Sequence, residues 1–168
     1  MGAVSAAQNP YPSVELDPIR RLHALAAAIP GAAVAERVLD APFEAVWEVA
    51  TDFEEGVPKI EIFVGSARIL SREGDRLEVA VKYPIVGTTE RLDVVLRPGW
   101  CWMQSGTAVA AMAARPEGDK TRFAHLEAFR IPGRRVLGRL LAAKIVLVRE
   151  LQRIERLAQD RLRASQSS

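Results

Sequence analysis

Apolar positions along the chain change period from one segment to the next. Ile19, Leu22, Leu25, Ala26 and Ile29 recur at three- and four-residue steps, the spacing of one helix face. Asp17 suits the N-cap of that helix, Pro18 its first position, and Pro30-Gly31 its end. Residues Val34 to Leu39 read as a short strand, which Asp40-Ala41-Pro42 stops. Phe43, Val46, Trp47 and Ala50 then return to helical spacing, and Asp52 opens a second short helical piece ending near Pro58. Period-two alternation follows in Leu77, Val79, Val81 and Tyr83, and again in Leu92, Val94 and Leu96. Turn residues separate these runs at Glu73-Gly74-Asp75, Pro84 to Gly87, Pro98-Gly99, Gly106 and Pro116 to Asp119. Such spacing predicts an antiparallel meander, with no strand–helix alternation to suggest a parallel sheet.

The final segment is a long helix. From Arg134 to about Leu162 there is no proline and one glycine, Gly138. Leu137, Leu140, Leu141, Ile145, Val148, Leu151, Ile154 and Leu157 are assigned to its apolar stripe. A helix of roughly 40 Å with one apolar stripe has to lie across another layer, and the meander is the available one. The predicted fold is α+β: a strand, two short helices, six further strands and a long helix gripped by a curved antiparallel sheet of about seven strands. A sheet bent round a helix that it does not fully touch leaves an internal cavity. Residues 1–31 form an N-terminal arm and an extra short amphipathic helix, residues 32–163 the main domain, and residues 164–168 a disordered tail.

The stretch Val38-Leu39-Asp40-Ala41-Pro42-Phe43-Glu44-Ala45-Val46-Trp47, followed by Asp52-Phe53-Glu54, resembles the helix-grip (SRPBCC, START-like) superfamily. The turn-and-strand sequence Gly118 to Phe123 and the C-terminal helix extend the resemblance over about residues 32–162. What the resemblance implies is a cavity for a hydrophobic or amphipathic small molecule such as a lipid, quinone, sterol or polyketide chain. The chain is expected to be a carrier or binding protein. An alternative is a bacterial-type polyketide cyclase, aromatase or dehydratase using general acid/base catalysis in the same cavity. A third reading is an interaction module using the basic terminal helix.

Charge distribution bears on that third reading. Residues 1–129 carry 13 Lys/Arg against 18 Asp/Glu, a charge of −5, whereas residues 130–168 carry 10 against 3, a charge of +7. The basic end suits an acidic protein partner or an anionic membrane surface. No aromatics are interleaved with the arginines, so nucleic acid is not expected. Arg20-Arg21 before an alanine-rich run imitates a signal peptide, but acidic residues precede it and Pro30-Gly31 interrupts it. No apolar run is long enough to span a bilayer, and a cytoplasmic location is expected.

Composition narrows the chemistry. The chain of 168 residues has one cysteine, Cys101, and two histidines, His23 and His125. An intrachain disulfide is excluded, a His/Cys zinc site has no ligand spacing, and neither metal nor cofactor is expected. Chemistry then falls to polar side chains on the cavity face. Strand parity places Thr121, Phe123, His125, Glu127 and Phe129 on one face, and the two phenylalanines mark that face as inward. His125 and Glu127, an imidazole beside a carboxylate, are the candidate acid/base pair. Tyr83, Trp100, Trp102, Gln104, Phe123, Phe129 and Leu141 are the candidate ligand-binding residues, the tryptophans as an aromatic wall and Tyr83 and Gln104 as hydrogen-bonding groups. Cys101, of opposite parity to the tryptophans, is expected to be inert.

Overall fold

A computed structural model gives the fold and describes residues 16–85, 87–129 and 136–167, without the side chains of 136–143. The Asp17 carboxylate accepts from the backbone N–H groups of Ile19 (3.0 Å) and Arg20 (3.2 Å), satisfying two free donors at the start of α1 (Pro18–Ala28). Then come β1 (Ala33–Leu39), α2 (Phe43–Thr51) and α3 (Val57–Ile60). The meander follows as β2 (Ser66–Glu73), β3 (Arg76–Tyr83), β4 (Thr88–Arg97), β5 (Trp100–Gln104), β6 (Ala108–Glu117) and β7 (Lys120–Phe129). The last element, α4 (Val136–Gln166), extends past the expected end of the helix, so residues 164–166 are helical rather than tail.

Among the described residues the strands make one curved antiparallel sheet in the order β1-β7-β6-β5-β4-β3-β2. Consecutive strands are neighbours, except that β1 closes against β7. The tight β4–β5 turn needs Gly99, whose φ is +71° and whose Cα faces the Ala114 carbonyl oxygen; an added Cβ would lie 2.5 Å from that oxygen. The expected helix-grip architecture is the observed one.

The inner face of the sheet is covered, and so is the part of its outer face under α1, which decides where side chains point there. The inner face carries Val79, Val81, Val94, Cys101, Met103, Met112, Ala114 and Phe123, packed with α2, α3 and the Leu147, Leu151, Ile154 and Ala158 row of α4. On the outer face Trp100, Ala111, Ala113, Ala124 and Leu126 pack against Ile19 and Leu22 of α1. The α4 stripe is therefore turned from its expected setting. Leu151 and Ile154 are buried as expected, whereas Ile145 and Val148 are exposed and Leu147 and Ala158 take the inward places.

The C-terminal half of α4 is clamped by polar contacts as well as packing. Arg153 donates to the Ile60 carbonyl (3.0 Å), Arg161 to Asp52 (2.7 Å) and Glu48 (3.1 Å), and Gln159 to the Asp40 carbonyl (3.0 Å). Part of the basic charge of this helix thus serves its own docking. Among the described residues no helix is long and apolar enough to cross a membrane, which says nothing of a strand-built membrane protein.

Candidate functional site

Antiparallel register carries the parity of one strand to the next, since residues opposite each other share a face. Ala35 opposes His125, His125 opposes Met112, and Met112 opposes Cys101. This row faces α4. Its neighbour, Val34–Leu126–Ala111–Trp102, faces α1 and solvent.

The structure thereby separates the expected ligand-binding residues. Phe123 is fully buried on the inner face, its ring 6.4 Å from that of Trp47, and Tyr83 packs against the same core. Trp100 and Trp102 are not an inner aromatic wall. They stack on each other with centroids 6.5 Å apart on the outer face, where the Arg21 guanidinium lies 4.3 Å from the Trp100 ring centroid. Gln104 follows them outward, is exposed, and accepts from the Trp102 indole N–H at 3.2 Å. The reason is that α1 covers the outer face, so large apolar residues are buried on both sides. Phe129, at the strand end, is 51% exposed and lines no interior wall. The side chain of Leu141 lies outside the described residues.

His125 and Glu127 do come together, and two further residues join them. Glu61 follows α3 directly, and Glu150 projects from α4. One donor atom from each of Glu61, His125, Glu127 and Glu150 lies within 4.8 Å of the others. The His125 Nδ1 stands 3.5 Å from a Glu150 oxygen, and its Nε2 stands 3.8 Å from a Glu61 oxygen. The His125 and Glu150 side chains are 1% and 0% exposed, and none of their four polar atoms has a hydrogen-bond partner. Among the described residues no Lys or Arg forms an ion pair with the three glutamates.

Electrostatics follow from that crowding. Burial, reinforced by the Glu127 charge, pushes the Glu61 carboxyl well above its usual range. Burial raises Glu127 too, with His125 opposing the shift. Burial alone would lower the His125 imidazole, but the carboxylates of Glu150, Glu61 and Glu127 reverse that and hold it up at about 9. Tyr83 is raised to about 12 by burial and by the negative charges of Glu90, Glu61 and Glu127, so its hydroxyl keeps its proton and remains a donor. Burial raises the Cys101 thiol to about 12 as well, as expected of an unreactive sulfur.

Glu150 carries a signal only once the buried row of α4 is known, since that row is turned from the stripe the sequence assigns. It lies three residues after Leu147 and four before Ile154, on the stripe that is actually buried, where a lone carboxylate has no structural use. Glu61 had none, because it sits in an irregular segment between Ile60 and Ile62. Counting His and Cys does not address carboxylate-rich sites, for which one imidazole is enough.

A recess lies on the outer face, about 520 Å³ in volume, lined by Asp17, Ile19, Arg20, His23, Glu36, Arg115 and Arg122. Its charges satisfy one another: His23 to Glu36 at 2.7 Å, Arg122 to Glu36 at 2.8 Å and Arg115 to Asp17 at 3.0 Å. It is a seam between α1 and the sheet, and most of its charged groups are already paired with one another.

No family model and no curated protein matches this chain. Solved structures do resemble it. The Zhui aromatase/cyclase from a Streptomyces species is 18% identical, with a TM-score of 0.62 over 80% of this chain and 96% of that one. A protein from Thermus thermophilus is 20% identical, with a TM-score of 0.61 over 77% and 97%. A START superfamily protein from Mycobacterium smegmatis is 15% identical, with a TM-score of 0.51 over 79% and 97%. At these identities the likeness establishes the helix-grip fold alone.

Proposed function

We propose that the protein binds an amphipathic small molecule between the inner sheet face and α4, with the molecule's polar end at Glu61, His125, Glu127 and Glu150. The observation that carries this reading is the set of buried, unpartnered polar atoms on His125 and Glu150. Polar groups buried without partners destabilise a fold by about 1–3 kcal/mol each, so a site that keeps them is built for something else to bind. The apolar remainder of the ligand would meet Phe123, Met103 and Tyr83. Access is supported at the sheet end where β3 finishes, β4 begins and β7 finishes. Phe63, Ile85 and Phe129 are exposed there, and Gly65 N–H to Lys82 carbonyl (2.9 Å) sets the α3–β2 and β3–β4 loops side by side.

The test is a binding titration of the full chain with a graded series of fatty acids, naphthols and anthraquinones, read by native mass spectrometry. One ligand per chain is expected. Affinity should fall at least about tenfold in His125→Asn and Tyr83→Phe, the loss of a hydrogen bond to a charged or buried group, and stay unchanged in Gln104→Ala on the outer face. No retention of any probe, or equal retention in all variants, refutes the reading.

A second reading has one observation in its favour. The His125 imidazole lies among three carboxyl groups in a water-poor interior, an arrangement suited to moving protons to and from a bound carbonyl compound. On that reading the protein is a cyclase or dehydratase. A poly-β-ketone thioester that is bound but returned unchanged by the wild-type chain removes it.

A further inference from the structure

The Glu61–His125–Glu127–Glu150 cluster poses a charge problem that its own residues do not solve. Three carboxyl groups converge on one imidazole, and among the described residues no Lys or Arg reaches them. Attraction from His125 can offset one carboxylate, and the others escape repulsion only by moving toward their neutral forms in an interior where Coulomb forces are poorly screened. Hydrogen bonding does not compensate either, since both nitrogens of His125 and both oxygens of Glu150 are buried and unpartnered.

From this geometry we infer that Glu61, His125, Glu127 and Glu150 form a binding site for one divalent first-row transition-metal ion. Distances fit the sphere of such an ion. Metal–ligand arms of about 2.0–2.2 Å place tetrahedral donors about 3.4 Å apart, and the His125 Nδ1 to Glu150 separation is 3.5 Å. The full set spans no more than 4.8 Å, so closing it round an ion takes shifts of well under a side-chain length. Acceptors set tetrahedrally round an ammonium nitrogen at about 2.9 Å stand about 4.7 Å apart, wider than the 3.5 Å between His125 and Glu150. The donor types select the ion: carboxylates alone suit calcium or magnesium, while an imidazole nitrogen turns the preference to zinc, manganese, iron(II) or cobalt.

Placement adds to the argument. The ligands come from three separate elements, the α3 exit, β7 and α4, so an ion would tie the long helix to the sheet from within. His125 and Glu127 share a face of one strand, and β7 is anchored on both sides by β1 and β6, which gives the site a rigid half. The inference deepens the proposed function, because an ion at this position would offer an open coordination place to an oxygen of the amphipathic ligand. The metal site itself is nevertheless testable with no ligand present.

The experiment uses the full chain, stripped with EDTA and dialysed, then titrated with Zn²⁺ and Mn²⁺ by calorimetry and with Co²⁺ by visible absorption. One ion per chain is expected, with a Co²⁺ ligand-field spectrum and a higher melting temperature on metal addition. Glu150→Gln and His125→Ala should each weaken binding by at least about a hundredfold, the upper loss seen when even outer-shell partners of a metal site are changed. His23→Ala, on the outer face, should bind as the wild type does. Circular dichroism of each metal-free variant checks that it is folded, and Glu127→Gln replaces any variant that is not. Absence of saturable binding by all three ions, or binding that survives in Glu150→Gln and His125→Ala, overturns the inference. Amphipathic ligands that bind where no ion does would overturn the metal site and leave the ligand reading standing. Metal binding with no ligand uptake would do the reverse.

Discussion

Replacing Glu150 by glutamine should stabilise the metal-free protein. Glu150 has one opposite charge nearby, His125 at 3.5 Å, and two like charges, Glu61 and Glu127, within 4.8 Å. At an effective dielectric constant near 20, each such pair is worth about 4 kcal/mol at 4 Å. Two repulsions against one attraction leave a net repulsion of about one pair. The native chain relieves part of it by raising the carboxyl groups of Glu61 and Glu127 toward their neutral forms. The remaining gain for Glu150→Gln is about 1–2 kcal/mol, helped by an amide that can donate to the neighbouring carboxylates. For a domain of this size 1 kcal/mol moves the midpoint by about 2–4 °C, so the melting temperature should rise by about 2–8 °C. The assay is differential scanning calorimetry of both proteins in EDTA at neutral pH, where two-state unfolding can be checked. A fall of the midpoint by more than about 2 °C would refute the reasoning, because losing one member of a well-satisfied buried ion network is strongly destabilising, about 3–5 kcal/mol. Such a result would make the four residues a structural network and remove the argument for a ligand or an ion.

Three further outcomes follow from other parts of the molecule. Although burial opposes it, the Arg161 guanidinium and the N–H groups of Glu55 and Gly56 hold the Asp52 carboxyl below its ordinary 3.8, so its contribution is present above that pH and lost as the pH falls below it. Asp52→Asn should thus destabilise at pH 7 by about 1 kcal/mol, and urea titrations of the two proteins should converge below pH 3.8; a gap that persists in acid would contradict this. Gly99→Ala forces a side chain into a positive φ and against the Ala114 carbonyl, and should lower stability by at least about 1–3 kcal/mol in urea unfolding. Trp100→Ala removes the outer-face partner of α1 and should cost about 3–5 kcal/mol while leaving ligand and metal binding unchanged; loss of binding in a folded variant would return the tryptophans to the site.

What was legible in the sequence depended on how locally it is encoded. The strand and helix segments follow from short-range periodicity, and the turns at Gly74, Gly99 and Gly118 from residues that accept positive φ. Parity is equally local, and on β7 the rule that Phe123, His125 and Glu127 share a face agrees with the structure. Parity yields two sets for each strand without saying which set is inside. On β7 the phenylalanine marker served, since the other set holds only alanine and leucine between arginines. On β5 it failed, because both sets are apolar: Trp100 and Trp102 outside under α1, Cys101 and Met103 inside. The ambiguity would lift only with register, since Cys101 opposes Met112 and Met112 opposes His125, and register is a property of strand pairs rather than of any one strand. The site shows the same limit. His125 and Glu127 are two residues apart and could be paired on paper, but Glu61 and Glu150 lie 64 and 25 positions from His125 in the chain and meet it only when α3 and α4 close on the sheet. A carboxylate on the buried row of a helix nonetheless needs a partner wherever the fold carries it. Glu150 meets that condition only once the setting of the helix is known, because the buried row with Leu147 and Ala158 is turned from the stripe that periodicity assigns.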